Sequence, residues 1–294
     1  MVSAFVCGFL PPGEKEGSVL EESGSEATAG EVVPGLLEGR ATRSGFLKKG
    51  AIGGGTLLAG GVLFGSPAAA LASGKKVARR GANTSQNILN IAATAEVLAT
   101  IVNTVGWQKN LAGDAVTQRN IAAAAREELI HYDVLVSVGA TALTQKIWVP
   151  DAVFASRTNF LNTLQVGDQI FVNAYLVGTR TFGAAGDGDL AAVAAEFMGV
   201  EAVHRALARQ SLGLLGNDRV FMKFDNPETA PGAPNIGQKG FRTIDVAVTQ
   251  LQAAGFGFGV QGATPGKFYE FNDVKENTPN DPDLNTLTPD AGRF

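Results

Sequence analysis

Cysteine and histidine, which bind most transition metals in proteins, are scarce in this sequence: it has one cysteine and two histidines among 294 residues. The single cysteine, Cys7, can form neither an intramolecular disulfide nor a multi-cysteine metal site. This excludes thiolate-ligated zinc and iron–sulfur clusters. Any bound metal must therefore use carboxylates and imidazoles, which limits the choice mainly to iron, manganese or zinc.

Positive charge is not in excess either. The 24 basic and 28 acidic residues give a net charge of −4, and they are scattered along the chain without a basic stripe. Nucleic acid is therefore not an expected partner.

Motifs of several enzyme classes are also missing. The glycine-rich stretch GAIGGGTLLAGG at 50–61 does not follow a strand pattern, so it is not a dinucleotide-binding loop. No serine-centred nucleophile elbow is present, and both histidines belong to another motif. A hydrolytic triad is not supported.

Residues 40–72 predict an export signal. A basic stretch at 40–49 leads into a Gly/Ala/Leu run at 50–65, and the sequence ALA at 70–72 has the small-x-small pattern of a cleavage site. The core TRSGFLKK resembles a twin-arginine translocation signal, although Ser44 stands where the second arginine is expected. We therefore predict a protein exported to the periplasm, cell envelope or outside the cell.

The alternative for this segment is an uncleaved membrane anchor, which would be the protein's only contact with a membrane. The apolar run is short and glycine-rich for a spanning helix of about 20 residues, so cleavage is favoured. Residues 1–39 are acidic, rich in Gly, Ser and Glu, and predict a disordered extension. A mis-assigned start codon would also explain them. Residues 73–83 are interpreted as a linker.

From residue 84 onward, apolar side chains recur at spacings of three and four, which predicts amphipathic helices. Four segments carry the pattern, and all are longer than the average helix of about 11–12 residues. With strand-like alternation almost absent, the sequence predicts an all-α fold. Its parts are a four-helix bundle over 84–216 and a tail over 217–294, irregular apart from a short helix near 243–254. The four bundle segments are 84–107, 114–139, 158–182 and 189–214.

The ends of these helices carry typical capping residues. Asn83, with Gln86 three residues later, predicts a capping box at the first helix. Asp114 is a good N-cap for the second helix. The glycine-rich stretch at 183–189 is expected to end the third helix and begin the fourth.

Both histidines stand in the same motif, with a glutamate three residues before each: Glu128 before His131, and Glu201 before His204. Residues at i and i+3 share one face of a helix, so each pair can aim a carboxylate and an imidazole at one point. Helix bundles that hold dinuclear iron or manganese use two such pairs, with one further carboxylate from each of the other two helices. The further carboxylates available here are Glu96 and Asp168.

With this ligand order, residues 84–214 resemble the ferritin-like superfamily. The stretches NILNIAATAEVLATIVNTVGW and EELIHYDVLVSVGA are similar to an exported bacterial ferritin-like family related to plant desiccation-related proteins. The resemblance implies a site for two iron or manganese ions. In it, Glu128 and Glu201 would bridge the ions, Glu96 and Asp168 would be terminal carboxylates, and the histidines would each bind one ion.

Position 168 departs from the family pattern because most such sites have Glu there. The aspartate is one methylene shorter and follows Gly167, which lowers helix stability. The substitution is compatible with an open coordination position, a changed metal preference or a degraded site. Glu127, about 100° around the helix from Glu128, is interpreted as solvated. Tyr132, Tyr175 and Trp107 are interpreted as core residues.

Two functions fit these residues. In the first, an exported di-iron or di-manganese protein reacts with O₂ or peroxide, with ferroxidase and catalase-like activities as candidates. In the second, a stress or desiccation scaffold keeps a structural or vestigial metal site. Four buried carboxylates without a cation would cost several kcal/mol each, which favours metal binding. The sequence leaves the metal, the substrate and assembly into a homo-oligomer open.

Overall fold

The structure is a computed structural model that describes residues 83–218, 220–222, 224 and 240–290. The predicted extension (1–39) and export signal (40–72) lie outside the described residues, as does all but the last residue of the predicted linker.

Four long helices form the predicted bundle: α1 Ser85–Gln108, α2 Ala115–Ser137, α3 Arg157–Ala184 and α4 Gly188–Ser211. The most extensive packing is within two helical hairpins, α1 with α2 and α3 with α4. The hairpins then pack on each other through α1 against α3 and α2 against α4. The all-α bundle is confirmed.

Helix α1 is the central element of the core. Within the described residues it is the one helix long and apolar enough to cross a membrane, but 83% of its most apolar window is buried inside the protein. A helix that is apolar on all sides belongs in a protein core when other helices surround it. We therefore describe α1 as a core helix.

The first helix is capped by a different residue from the one predicted. The side chain of Thr84 accepts a hydrogen bond from the backbone N–H of Asn87 at 3.2 Å. Asn83 instead donates to the backbone oxygen of Arg242 and accepts from the N–H of Ile244. The prediction of Asn83 as the cap was wrong because this side chain makes a tertiary contact with the C-terminal region.

The other two capping predictions are confirmed. Asp114 accepts a hydrogen bond from the N–H of Thr117 at 2.9 Å and begins α2. Asp187, from the glycine-rich stretch between α3 and α4, accepts from the N–H of Leu190 at 3.0 Å. Each side chain satisfies one of the free N–H groups of a helix start.

A small antiparallel sheet joins the connection between α2 and α3 to the C-terminal region, and the sequence did not predict it. Strand β1 Lys146–Pro150 lies between β2 Gly257–Phe258 and β3 Gly266–Glu270. Ile147 pairs with Phe258 on one side and with Tyr269 on the other. Strand β1 has the sequence KIWVP, in which three apolar residues follow one another, so it lacks the alternation that indicates a strand.

The C-terminal region packs on the bundle through two further helices. Helix α5 Asp245–Ala253, at the predicted position, packs on α3, and α6 Phe271–Lys275 packs on α1. Phe271 is fully buried, which fixes α6 in place. The region after α5 is therefore more ordered than the predicted tail.

Candidate metal centre

All four bundle helices bring acidic or imidazole side chains to one buried region. Helix α1 carries Glu96, α3 carries Asp168, and the two glutamate–histidine pairs lie on α2 and α4. Each of the six predicted residues is at most 8% exposed. They are Glu96, Glu128, His131, Asp168, Glu201 and His204.

The carboxylates of Glu128 and Glu201 each face both histidines. Nδ1 of His131 lies 3.4 Å from Oε2 of Glu128 and 3.4 Å from Oε1 of Glu201. Nδ1 of His204 lies 3.2 Å from the other oxygen of Glu128 and 3.7 Å from the other oxygen of Glu201. Each carboxylate thus has one oxygen directed at each imidazole, which is the arrangement that two bridging ligands need.

Glu96 lies beside His131. Its Oε2 is 3.7 Å from Nδ1 of His131, and its Oε1 accepts a hydrogen bond from the hydroxyl of Tyr175. The ring of His131 stacks on Phe197 with 4.0 Å between ring centroids. We call Glu96, His131, Tyr175 and Phe197 the His131 side of the site. Aromatic rings close it off from water.

His204 has a different neighbour. Its Nε2 lies 2.7 Å from Oε2 of Glu127, whose side chain is 33% exposed. The prediction that Glu127 is simply solvated was wrong, because its position on α2 allows the long side chain to reach α4. His204, Glu127 and Asp168 form what we call the His204 side of the site.

Asp168 is buried but stands apart from the tightest cluster. Ligand atoms of four residues lie within 4.8 Å of one another, and Asp168 is not among them; they are Glu96, Glu128, His131 and Glu201. His204 joins this cluster through its contacts with the two central glutamates. Among the described residues, Oδ2 of Asp168 has no hydrogen-bond partner. The ligand role of each of the six residues stays a prediction.

Many of the buried atoms that face the site have no hydrogen-bond partner within the described residues. Leaving buried polar groups unsatisfied is costly, and native proteins rarely do so. A cation surrounded by these atoms would satisfy them together. The residues therefore fit a metal centre. The unpartnered atoms are Oε2 of Glu96, Oε2 of Glu128, Nδ1 of His131, Oδ2 of Asp168, both oxygens of Glu201 and Nδ1 of His204.

Electrostatics agree with this interpretation. Burial raises the pKa of Glu96, and the nearby charge of Glu128 raises it further. Burial and the charge of Glu201 raise the pKa of Asp168 in the same way. Without a cation these carboxyl groups retain protons, because like charges cannot all be buried together.

Burial has the opposite effect on the pKa values of the two histidines. Burial alone lowers the pKa of His131, but contacts with Glu128 and Glu201 outweigh it and raise the pKa well above its usual value. For His204, burial also lowers the pKa, and contacts with Glu127 and Glu128 raise it above its usual value. The metal-free site therefore holds protons that a bound metal would release.

Fold and site together define a helical bundle with a buried carboxylate–imidazole cluster that fits metal ions. Residues 84–214 match the family model described as a ferritin-like domain, and this part of the chain is a ferritin-like domain. No curated protein and no solved structure matches the chain.

The sequence did not identify two of the contacts that shape the site. Tyr175 is a core tyrosine with one hydrogen bond, as predicted, but its partner is the candidate ligand Glu96. Tyr175 is two helical turns from Asp168, so the spacing already placed it on the site-facing side of α3. The contact between Glu127 and His204 joins two helices, and no local spacing could have revealed it.

Proposed function

We propose that this is an exported ferritin-like protein that binds two iron or manganese ions and uses them in oxygen, peroxide or metal redox chemistry. The observation that carries the proposal is the paired orientation of Glu128 and Glu201, each with one oxygen directed at each histidine. The export part rests on the sequence of residues 40–72 alone.

The two central carboxylates would bridge the ions, and each ion would have one imidazole and one terminal carboxylate. His131 with Glu96 would hold one ion, and His204 with Asp168 the other. Two adjacent ions of this kind exchange electrons with O₂ or peroxide when bound. Carboxylate and imidazole ligands suit both iron and manganese.

The protein's own residues orient these ligands. Nε2 of His204 contacts Glu127, so that a proton on Nε2 can be donated to its carboxylate and Nδ1 remains free for a metal. Hydrogen bonds of this kind fix the tautomer and ring orientation of metal-binding histidines. Tyr175 has the same effect on Glu96, because its hydroxyl leaves Oε2 as the oxygen that faces the site. Phe197 shields His131 from water.

A second candidate function is a stress or desiccation scaffold whose metal site is structural or vestigial. The position of Asp168 outside the tightest cluster favours it, because one terminal carboxylate would then be too short to complete the site. A scaffold would bind no ion, or one ion that does not react.

Metal content separates the two candidates. The full chain is purified without chelators, and its iron, manganese and zinc are measured beside those of a His131→Ala/His204→Ala variant. Close to two irons or manganeses per chain, lost in the variant, supports the redox protein and leads to assays with O₂, peroxide and ferrous iron. Absence of metal from both proteins, with unchanged helicity and melting, contradicts it and leaves the scaffold.

A further inference from the structure

A cavity of about 130 Å³ lies beside the metal centre, between the bundle and helix α5. Helices α1, α3 and α5 and strand β2 contribute its walls, which are mostly aliphatic and aromatic. Six residues illustrate its lining: Ile88 and Ile91 from α1, Phe171 from α3, Ala247 and Leu251 from α5, and Phe258 from β2.

Most of the polar side-chain atoms around the cavity have partners, and Oε2 of Glu96, which has none within the described residues, faces His131 in the metal centre. The hydroxyl of Thr94 donates to the backbone oxygen of Asn90 at 2.7 Å and accepts from the N–H of Leu143 at 2.8 Å. The Tyr175 hydroxyl donates to Glu96. A buried water needs two to four polar partners, so this cavity offers water little stabilisation.

We propose that this cavity binds a small uncharged apolar molecule about the size of a six-membered carbon ring. Apolar cavities of about 150 Å³ lined by leucine, isoleucine and phenylalanine stay dry and bind benzene. The cavity here has a similar size and a similar lining. Leu143, which is 54% exposed, is the one exposed side chain of the lining, so we expect entry beside it.

The cavity reaches the metal centre at one edge. Glu96 and Tyr175 are part of its lining, so a molecule bound there lies against the His131 side of the site. The opposite wall comes from α5 and β2, which follow residue 214 and lie outside the matched ferritin-like domain. The pocket therefore exists only because the C-terminal region covers the bundle.

Benzene is the probe for this proposal. It is titrated into the full-length protein, and the methyl signals of labelled isoleucine and leucine are followed by NMR. We expect saturable shifts, with through-space contacts between benzene protons and the methyl groups of Ile88, Ile91 and Leu251. Metal-free and metal-loaded proteins are both titrated, so that binding is tested independently of the proposed metal chemistry.

Two variants on the same helix provide the matched comparison. Ala247→Leu adds a side chain to the cavity wall, and Ala253→Leu adds the same side chain at an exposed position of α5. We expect Ala247→Leu to weaken benzene binding at least about tenfold, equivalent to ~1.4 kcal/mol, and Ala253→Leu to leave it unchanged. If Ala247→Leu does not fold, Ala174→Leu fills the cavity from α3 instead.

Two results would overturn the proposal. The first is the absence of saturable benzene binding in both metal-free and metal-loaded protein. The second is equal affinity in a folded cavity-filling variant and in Ala253→Leu, which would place the benzene elsewhere on the protein.

Discussion

The two sides of the candidate metal centre have the same kinds of side chain but different surroundings. On the His131 side, an aromatic ring stacks on the imidazole, a tyrosine hydroxyl is bonded to the terminal carboxylate, and an apolar cavity of about 130 Å³ adjoins it. On the His204 side, a partly exposed carboxylate contacts the imidazole. Two smaller cavities adjoin this side: one of about 30 Å³ that includes Asn103 and Asn120, and one of about 40 Å³ beside Asp168 with a mostly apolar lining.

A repeated glutamate–histidine motif therefore does not by itself create two equivalent sites. Both glutamate–histidine pairs have the same spacing on their helices, yet the helix opposite supplies a glutamate on one side and a shorter aspartate on the other. We therefore expect the ion on the His131 side to be bound more tightly.

The largest effect is expected from removing a carboxylate shared by both sides. Glu128→Ala deletes the oxygens that face His131 and His204, so binding of both ions should be lost or reduced to trace levels. Metal analysis after dialysis measures this, and circular dichroism checks that the helices remain. Retention of two ions by a folded variant would contradict the bridging role of Glu128.

A smaller and unequal effect is expected from the two terminal carboxylates. Glu96→Gln should remove about one ion per chain, because Glu96 belongs to the tightest cluster, while Asp168→Asn should change metal content less. Equal losses in the two variants would show that the two sides bind their ions with the same affinity.

Asp168→Glu tests the short side chain directly, because it restores the ligand length that is usual at this position. An increase in metal content or turnover would show that the site is decaying at this position. A decrease would show that aspartate is the ligand suited to it.

Loss of the Glu127 contact should weaken the ion on the His204 side without removing it. Glu127→Gln keeps the size of the side chain but takes away the charge that orients His204, which typically costs about 10–100-fold in metal affinity. Competition with a calibrated chelator measures the affinity. Glu196→Gln, at an exposed carboxylate of α4, is the control and should behave as the unaltered protein does. A similar loss in the control would show that the weaker binding does not depend on the contact between Glu127 and His204.

The smallest effect is expected on the pH dependence of stability. Because the folded-state pKa values of Glu96 and Asp168 are raised above their ordinary values of 4.5 and 3.8, the metal-free protein should lose stability as the pH rises above about 4. The raised pKa values of the two histidines add a further loss of stability as the pH rises above about 6.5. The lowered pKa of Glu128 has the opposite effect, because its contribution to stability is lost as the pH falls.

Bound metal replaces the retained protons, so the gain in melting temperature on adding metal should grow from pH 5 to pH 8. Thermal melts with and without metal measure that gain. A gain that does not change with pH would show that these carboxyl and imidazole groups are not the ligands.

The sequence predicted the helices and the two glutamate–histidine pairs because both depend on local spacing, whereas Glu96 and Asp168 followed from the order of the helices in the bundle. The apolar periodicity of 84–107 and the i, i+3 spacing of Glu128 and His131 are set within a few residues. The sheet was not predicted, because β1 pairs with strands that follow much later in the chain. The contact of Glu127 with His204 depends on how α2 rotates against α4, and no sequence pattern encodes that rotation. The cavity was not predicted either, because it forms where α5 packs on the bundle and no sequence pattern gives that position.

The division of the bundle into two hairpins has a kinetic consequence. Contacts between helices that follow one another form faster during folding than contacts between distant segments, so α1–α2 and α3–α4 are expected to assemble first. His131 on the first hairpin faces Glu201 on the second, and a complete ligand set exists only after the hairpins have docked. Metal bound there would act on the last step of assembly: it would slow the separation of the hairpins and leave the early rate of helix formation unchanged.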